Sequence, residues 1–249
     1  MKEFELLVDL HKHNQRQGPG SPQATKKALE LTGLMGQPNL EIADIGCGTG
    51  GQTLSLASLL NGKITALDLF PDFLNILSMR ALEGGFEKRI TTMEASMENL
   101  PFGDNVFDLI WSEGAIYIMG FENGIAQWLR HLKPGGILAV SDISWITDSR
   151  PAELERFWEQ ECPQIGTVSA KLDVLQRHGY EILSHFILPE DCWIDHYYLP
   201  LQESYQSFLE RQGHSQEAMD IIDNDKTEFE MYMKYKQYYS YAFYIARKL

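Results

Sequence analysis

Residues Glu41 to Gly51 read Glu-Ile-Ala-Asp-Ile-Gly-Cys-Gly-Thr-Gly-Gly. A short apolar run carries an acidic residue, Asp44, and glycines then occupy every second position. Such a turn needs residues without a Cβ, because the main chain must take dihedrals that side chains disfavour. Residues Gln52 to Leu60 read as the helix that follows, and its first turn offers unpaired N–H groups to an anionic ligand. The pattern therefore points to capture of a nucleotide-like cofactor against bare backbone. A glycine-rich turn that holds nothing is the plainer alternative, and the strand–turn–helix setting argues against it. A second carboxylate, Asp68, stands 18 residues after Gly50 at the end of another apolar run. It can accept hydrogen bonds from both hydroxyls of a ribose, and bonds to a charged acceptor are worth about 1.5–3 kcal/mol each. Capping of a helix that begins at Pro71 is the alternative role for Asp68.

The glycines alone fit two cofactors. Gly46, Gly48 and Gly51 match G-x-G-x-x-G, the dinucleotide fingerprint. Gly46, Gly48 and Gly50, with Asp44 two residues ahead, match the D-x-G-x-G-x-G pattern of S-adenosylmethionine (SAM) methyltransferases. Asp68 suits both. Later stretches separate them. Asn99-Leu100-Pro101-Phe102, followed by Asn105-Val106-Phe107-Asp108-Leu109-Ile110, resembles the "LPF…FD" segment of class I SAM methyltransferases. Leu132-Lys133-Pro134-Gly135-Gly136 resembles the "LKPGG" turn that leads into their fifth strand. The resemblance is closest to the ubiquinone/menaquinone-biosynthesis type and covers roughly Leu40 to Ser144.

The resemblance implies roles at the matching positions. Gly46, Gly48 and Gly50, with Cys47 among them, would let the backbone pass under the methionine part of SAM. Asp44 would orient that loop and face the cofactor's ammonium through water. Asp68 would hold the ribose, and Leu69 would pack on the adenine. Where the family has Asp-Ala, this chain has Ser96-Met97. Ser96 would be a neutral acceptor for the adenine amino group, while Met97 would offer its backbone N–H and an apolar wall. Ser112, Glu113 and Gly114 would lie beside the methionyl amine and the substrate. Arg16, in Arg16-Gln17-Gly18-Pro19-Gly20-Ser21, would sit near the cofactor carboxylate or an acidic substrate group. Residues 1–36 would then act as a helical lid; a solvated linker is the alternative for that segment. The product would be S-adenosylhomocysteine.

These residues need a scaffold, and the pattern supplies one. Apolar strand signals alternate with helix signals from Glu41 to Ile143, which implies a parallel sheet with helices on both faces. Tyr180 to Ile187 and Tyr238 to Lys248 read as two closing strands. The resemblance implies a Rossmann-like α/β fold whose seven-stranded sheet has the order 3-2-1-4-5-7-6, the last strand antiparallel. The whole chain would be a single domain, with residues 195–237 as a helical insertion that caps the substrate.

Composition bounds the partners. The chain has 249 residues and a formal charge of −14, with no basic cluster, so nucleic acid is excluded as an expected partner. No apolar run is long enough to span a bilayer, and the N-terminus lacks signal-peptide architecture. Cys47, Cys162 and Cys192 have no metal-ligand spacing and suggest a reducing, cytoplasmic setting. No tetrapeptide or Pro-Cys pair of the nucleic-acid amino- or C5-methylating types occurs. A small-molecule acceptor at O, N or C is therefore expected. Methyl transfer from a sulfonium is an in-line displacement and does not oblige a dedicated base. Glu113, Tyr117 and His196 are the candidates should one act, and Trp145, Trp193, Tyr197 and Tyr198 are candidates for substrate contact, with a purely packing role as the alternative. Two other readings stay open: a SAM-binding protein without turnover, and an NAD-dependent oxidoreductase. A homodimer through the C-terminal helices is also open.

Overall fold

The computed structural model describes residues 2–249. Strands β1 (Leu40–Ile45), β2 (Gly62–Asp68), β3 (Ile90–Glu94), β4 (Phe107–Glu113), β5 (Leu132–Trp145), β6 (Gly166–Thr167), β7 (Tyr180–Ile187) and β8 (Tyr239–Lys248) make one sheet. Its order is β3-β2-β1-β4-β5-β8-β7, with the two-residue β6 beside the end of β5. The first five strands run parallel, and β8 is antiparallel to both β5 and β7. The expected seven-strand order is therefore present, with β6 as an addition.

Alternation along the strands builds two cores. Ile42, Leu109, Ile137, Ala139, Phe243 and Ile245 face one layer. Their neighbours Ala43, Ile110, Leu138, Val140, Ala242 and Tyr244 face the other. Successive side chains in a strand point to opposite faces, so a central strand buried on both is a near-continuous apolar run. The first layer is covered by α2 (Pro22–Thr32), α3 (Gly51–Leu59) and α4 (Pro71–Glu83), which insert Leu29, Leu56 and Leu77. The second is covered by α5 (Phe121–Trp128) and α7 (Val168–Arg177), which insert Ile125, Trp128 and Leu175. Ser21 caps α2 by accepting from the Ala24 N–H, and Pro22 begins the helix where no N–H is needed.

A third cluster sits off the sheet. Leu6 and Leu10 of α1 (Lys2–His11) pack with Leu201 of α8 (Leu199–Glu203), Phe208 of α9 (Tyr205–Arg211), and Ala218, Ile221 and Ile222 of α10 (Gln216–Tyr235). The N-terminal helix and the C-terminal excursion therefore share one small core. Asp9 reinforces it, accepting from Arg211 Nε at 3.1 Å and Gln212 Nε2 at 2.9 Å. The excursion is in pieces. It enters through a π-helical turn, Ile194–Tyr198, before the three helices.

β4 runs on through Glu113, so Ser112 and Glu113 belong to the strand instead of the loop after it. Similarly, β5 begins at Leu132, and α5 ends at Trp128 with a tight turn over Leu129–His131.

Candidate active site

The sheet order reverses between β1 and β4, so the connections leaving their C-terminal ends diverge. In open α/β sheets the crevice at that point is where ligands bind. A cavity of about 390 Å³ lies here, within the span typical of small-molecule sites.

The glycine turn forms its floor, and each glycine answers to a different neighbour. Gly48 has φ +54°, and a Cβ there would lie 2.0 Å from Gln17 Oε1. Gly50 has φ +88°, and its Cβ would strike Leu77 Cδ1 of α4 at 2.2 Å. Gly46 would meet the Ala115 methyl at 2.5 Å. Gly46, Cys47 and Gly48 line the cavity. Gly50 lies outside the lining, turned against α4. The Cys47 thiol is buried, which holds its pKa far above the ordinary value.

Asp44 lies beneath this turn. It is fully buried, with Oδ2 accepting from Thr53 Oγ1 at 2.6 Å and Oδ1 from Gln52 Nε2 at 3.4 Å. Burial, with Glu113 nearby adding to the effect, pushes its pKa up to about 7. Asp44 ties the turn to α3, and Gln52 stands between it and the cavity that Gln52 lines. Asp68 is on the wall itself. Its Oδ2 accepts from the Gly48 N–H at 2.8 Å and its Oδ1 from the Phe70 N–H at 3.1 Å. Burial raises its pKa despite these bonds. Two backbone donors orient the carboxylate, and a carboxylate has about four lone-pair sites, so roughly two remain for a ligand.

Leu69 is 57% exposed at the lip of the cavity. Ser96 and Met97 line the opposite side. The Met97 carbonyl accepts from Trp128 Nε1 at 3.1 Å, which anchors this turn to α5. Ser96 Oγ accepts from the Glu98 N–H at 3.2 Å, so its own hydroxyl proton is not committed by that bond.

The N-terminal strap closes the cleft. Thr49 Oγ1 donates to the Asn14 carbonyl at 2.9 Å, and the Thr49 N–H donates to Gln17 Oε1 at 2.8 Å. Arg80 clamps both segments, donating to Thr49 Oγ1 at 2.7 Å and to the Asn14 carbonyl at 3.2 Å. Arg16 lines the cavity, but its charge is engaged. Its Nη1 lies 2.6 Å from Glu113 Oε2, and its Nη2 donates to Thr25 Oγ1 at 2.9 Å. Glu113 Oε1 also accepts from Thr25 Oγ1 at 2.7 Å and Trp111 Nε1 at 3.0 Å.

A second cavity, of about 490 Å³, adjoins the first. Phe4, Gln17, Phe70, Phe73, Tyr117 and Ile118 line both. Tyr117 thus stands at the junction. Tyr197 reaches the second cavity, whereas His196, half-buried, lines neither. Trp193 and Tyr198 are core. Trp193 stacks on Tyr232 with centroids 4.5 Å apart, and Tyr198 meets Phe229 edge-on. Trp145 is also buried, edge-on to Tyr239.

Sequence reasoning missed Gln17, Thr25, Thr49 and Arg80, which join the strap to the site, and the second cavity's wall. The Arg-Gln-Gly-Pro-Gly run held the only signal for the strap. Among the described residues no group of three or more His, Cys, Asp or Glu is placed to hold a metal ion. No helix there is long and apolar enough to cross a membrane.

Residues 42–136 match the methyltransferase-domain family. A ubiquinone/menaquinone biosynthesis C-methyltransferase of Ectopseudomonas mendocina is 33% identical over 119 residues, which is 47% of this chain and 46% of that protein. The chain spans less than half the length of the curated relatives it matches. Among solved structures, a SAM-dependent methyltransferase from Geobacter sulfurreducens in complex with S-adenosyl-L-homocysteine superposes with TM-score 0.85 at 18% identity, covering 98% of each chain. The [4+2]-cyclase SpnF superposes with TM-score 0.72 at 26% identity, covering 91% of this chain and 81% of its own. The fold is that of SAM-dependent methyltransferases, and the 42–136 segment carries the resemblance read from the motifs.

Proposed function

We propose that the protein is a SAM-dependent methyltransferase that acts on a small-molecule acceptor. One observation carries this reading: a cofactor-sized cleft at the β1, β2 and β4 ends adjoins a second chamber, with Tyr117 and Ile118 in the walls of both. Displacement at a methyl group needs donor and acceptor in line, and two adjoining chambers would let the protein hold each reactant in its own space. When bound, SAM supplies an electrophilic methyl carbon whose bond to sulfur breaks as the acceptor's lone pair attacks.

The residues present fit that group. Asp68, already oriented by two backbone donors, has acceptor capacity left for ribose hydroxyls. Leu69 and Met97 offer apolar surface to an adenine, with the uncommitted Ser96 hydroxyl at its edge. The bare Gly46–Gly48 backbone accommodates the methionine part. Because Glu113 neutralises Arg16, we assign Arg16 chiefly to holding the strap closed. Residues 1–36 act as the lid and residues 195–237 as the substrate cap, a reading supported by the core they share beside the second chamber. The charge of −14 favours a small molecule over nucleic acid as acceptor. The three free, buried thiols suit a reducing, cytoplasmic setting.

The test is calorimetry with SAM, S-adenosylhomocysteine and NAD, followed by turnover against amines, phenols and carboxylates. SAM and S-adenosylhomocysteine are expected to bind and NAD not to; a preference for NAD would overturn the reading. The likeness to a [4+2]-cyclase supports a second reading, cofactor binding without methyl transfer. Release of S-adenosylhomocysteine together with an acceptor heavier by one methylene separates the two.

A further inference from the structure

The second chamber has an unusual balance of charge. Three carboxylates line it, Glu161 from α6 (Ala152–Glu161) and Asp225 and Glu228 from α10. Asp225 and Glu228 stand three residues apart on one helical face, with Ile221 a turn before them. No Lys or Arg lines the chamber among the described residues. The one basic side chain in its wall among the described residues is His11 of α1, which burial holds at a pKa of about 4 and therefore neutral. Its Nδ1 is buried without a hydrogen-bond partner. Tyrosine hydroxyls hold the two α10 carboxylates. Tyr198 donates to Glu228 Oε1 at 2.8 Å, and Tyr205 donates to Asp225 Oδ2. Tyr117, Tyr197 and Phe157 add aromatic surface.

Carboxylates that share a partly dry space without a counter-ion repel one another. Here burial raises the pKa of Asp225, and burial with repulsion from Asp225 and Glu161 raises Glu228 to about 7. A cation is the ligand that relieves this, and aromatic faces attract cations through their quadrupole. The overall charge of −14 would also draw a cation towards the site.

We propose that the second chamber selects an acceptor that carries a protonated or quaternary amine, with Asp225 and Glu228 as the charge-recognition residues. The proposal rests on the methyltransferase reading, because it treats this chamber as the acceptor site. Neutral phenols and anionic acids are the chemistries it disfavours.

The test uses probes of one shape and different charge, bound to the full chain with S-adenosylhomocysteine present. Choline, its neutral isostere 3,3-dimethylbutan-1-ol and anionic 3,3-dimethylbutanoate serve. Choline is expected to bind at least about tenfold more tightly than the alcohol, the factor that a cation–aromatic contact of about 1.4 kcal/mol supplies. The butanoate is expected not to bind. Near neutral pH, choline binding should release part of a proton from Glu228, seen as a binding heat that varies with the buffer's ionisation enthalpy. The Asp225→Asn/Glu228→Gln variant should keep its S-adenosylhomocysteine affinity while the preference for choline falls to within about twofold. If that variant does not fold, Glu228→Gln alone should lower the preference and abolish the proton release. Equal binding of choline and the alcohol, binding of neither, or a variant that keeps the preference overturns the amine proposal and leaves the methyltransferase reading standing. Failure of S-adenosylhomocysteine itself to bind removes both.

Discussion

Replacement of Arg16 by Met tests how the strap is held. Arg16 is 6% exposed and Glu113 4%, with their charged atoms 2.6 Å apart. Removal of one partner leaves a buried charge without its counter-ion, which typically costs about 3–5 kcal/mol. Glu113 would keep the Thr25 and Trp111 donors, at 2.7 and 3.0 Å, so the lower end of that span is expected. For a chain of this size each kcal/mol lowers the melting temperature by about 2–4 °C, so a loss of about 3 kcal/mol means that Arg16→Met should melt about 6–12 °C lower. Calorimetric melting of the ligand-free protein is the assay. In Arg16→Met/Glu113→Gln the amide oxygen can still accept from Thr25 and Trp111 while no charge is left unpaired. That double variant should recover at least half of the loss. A single variant that melts within a degree of the parent, yet loses affinity for S-adenosylhomocysteine, would refute the reasoning. Arg16 would then serve the ligand's carboxylate and owe little to Glu113.

Three further outcomes follow from the site. Asp68→Ala should weaken S-adenosylhomocysteine binding about 10- to 100-fold by titration calorimetry, since it removes charged-acceptor bonds of about 1.5–3 kcal/mol and frees the Gly48 N–H; unchanged affinity would place the ribose elsewhere. Gly48→Ala should destabilise the fold by about 1–3 kcal/mol in urea titrations, because φ is +54° and the new methyl displaces Gln17. Asp44 gives a pH signature. Its folded-state pKa of about 7 exceeds the ordinary 3.8, so between these values the folded chain keeps a proton that the unfolded chain has lost. Stability should therefore fall as pH rises through this window, by on the order of 4 kcal/mol from this group. Asp44→Asn should remove that slope in denaturation measured from pH 4 to 8, and an unchanged slope would assign it to other groups.

The fold was largely legible along the chain because its signals are local. Central strands buried on both faces must be largely apolar, and the runs at Glu41–Ile45, Val106–Trp111 and Gly136–Ile143 are, apart from a few polar residues such as Asp44, Asp108 and Asp142. Pro22 and Pro71 mark helix starts because proline needs no N–H in the first turn. The insertion at residues 195–237 read as helical but not as several pieces with a π-helical turn, which forms where Trp193 and Tyr198 pack into the aromatic core. β6 was missed because two residues carry no periodicity.

The site divides in the same way. The glycine spacing and the acid that ends β2 mark the cofactor cleft from sequence, since turn geometry and strand ends are properties of adjacent residues. Whether an aromatic or charged side chain packs or faces a cavity depends on contacts between residues far apart in the chain. Trp193 went to the core and Tyr197 to the second chamber, although only four positions separate them. Arg16 met Glu113 across 97 residues, and α1 met α10 across most of the chain. The sequence by itself determined a parallel sheet with a glycine-floored cleft at its switch point. Only the tertiary structure decided that Arg16 is neutralised, that Gly50 answers to Leu77, and that Asp225, Glu228 and Glu161 share a chamber lined by no Lys or Arg among the described residues. Charge balance at a site is a sum over space, and the order of residues along a chain does not contain it.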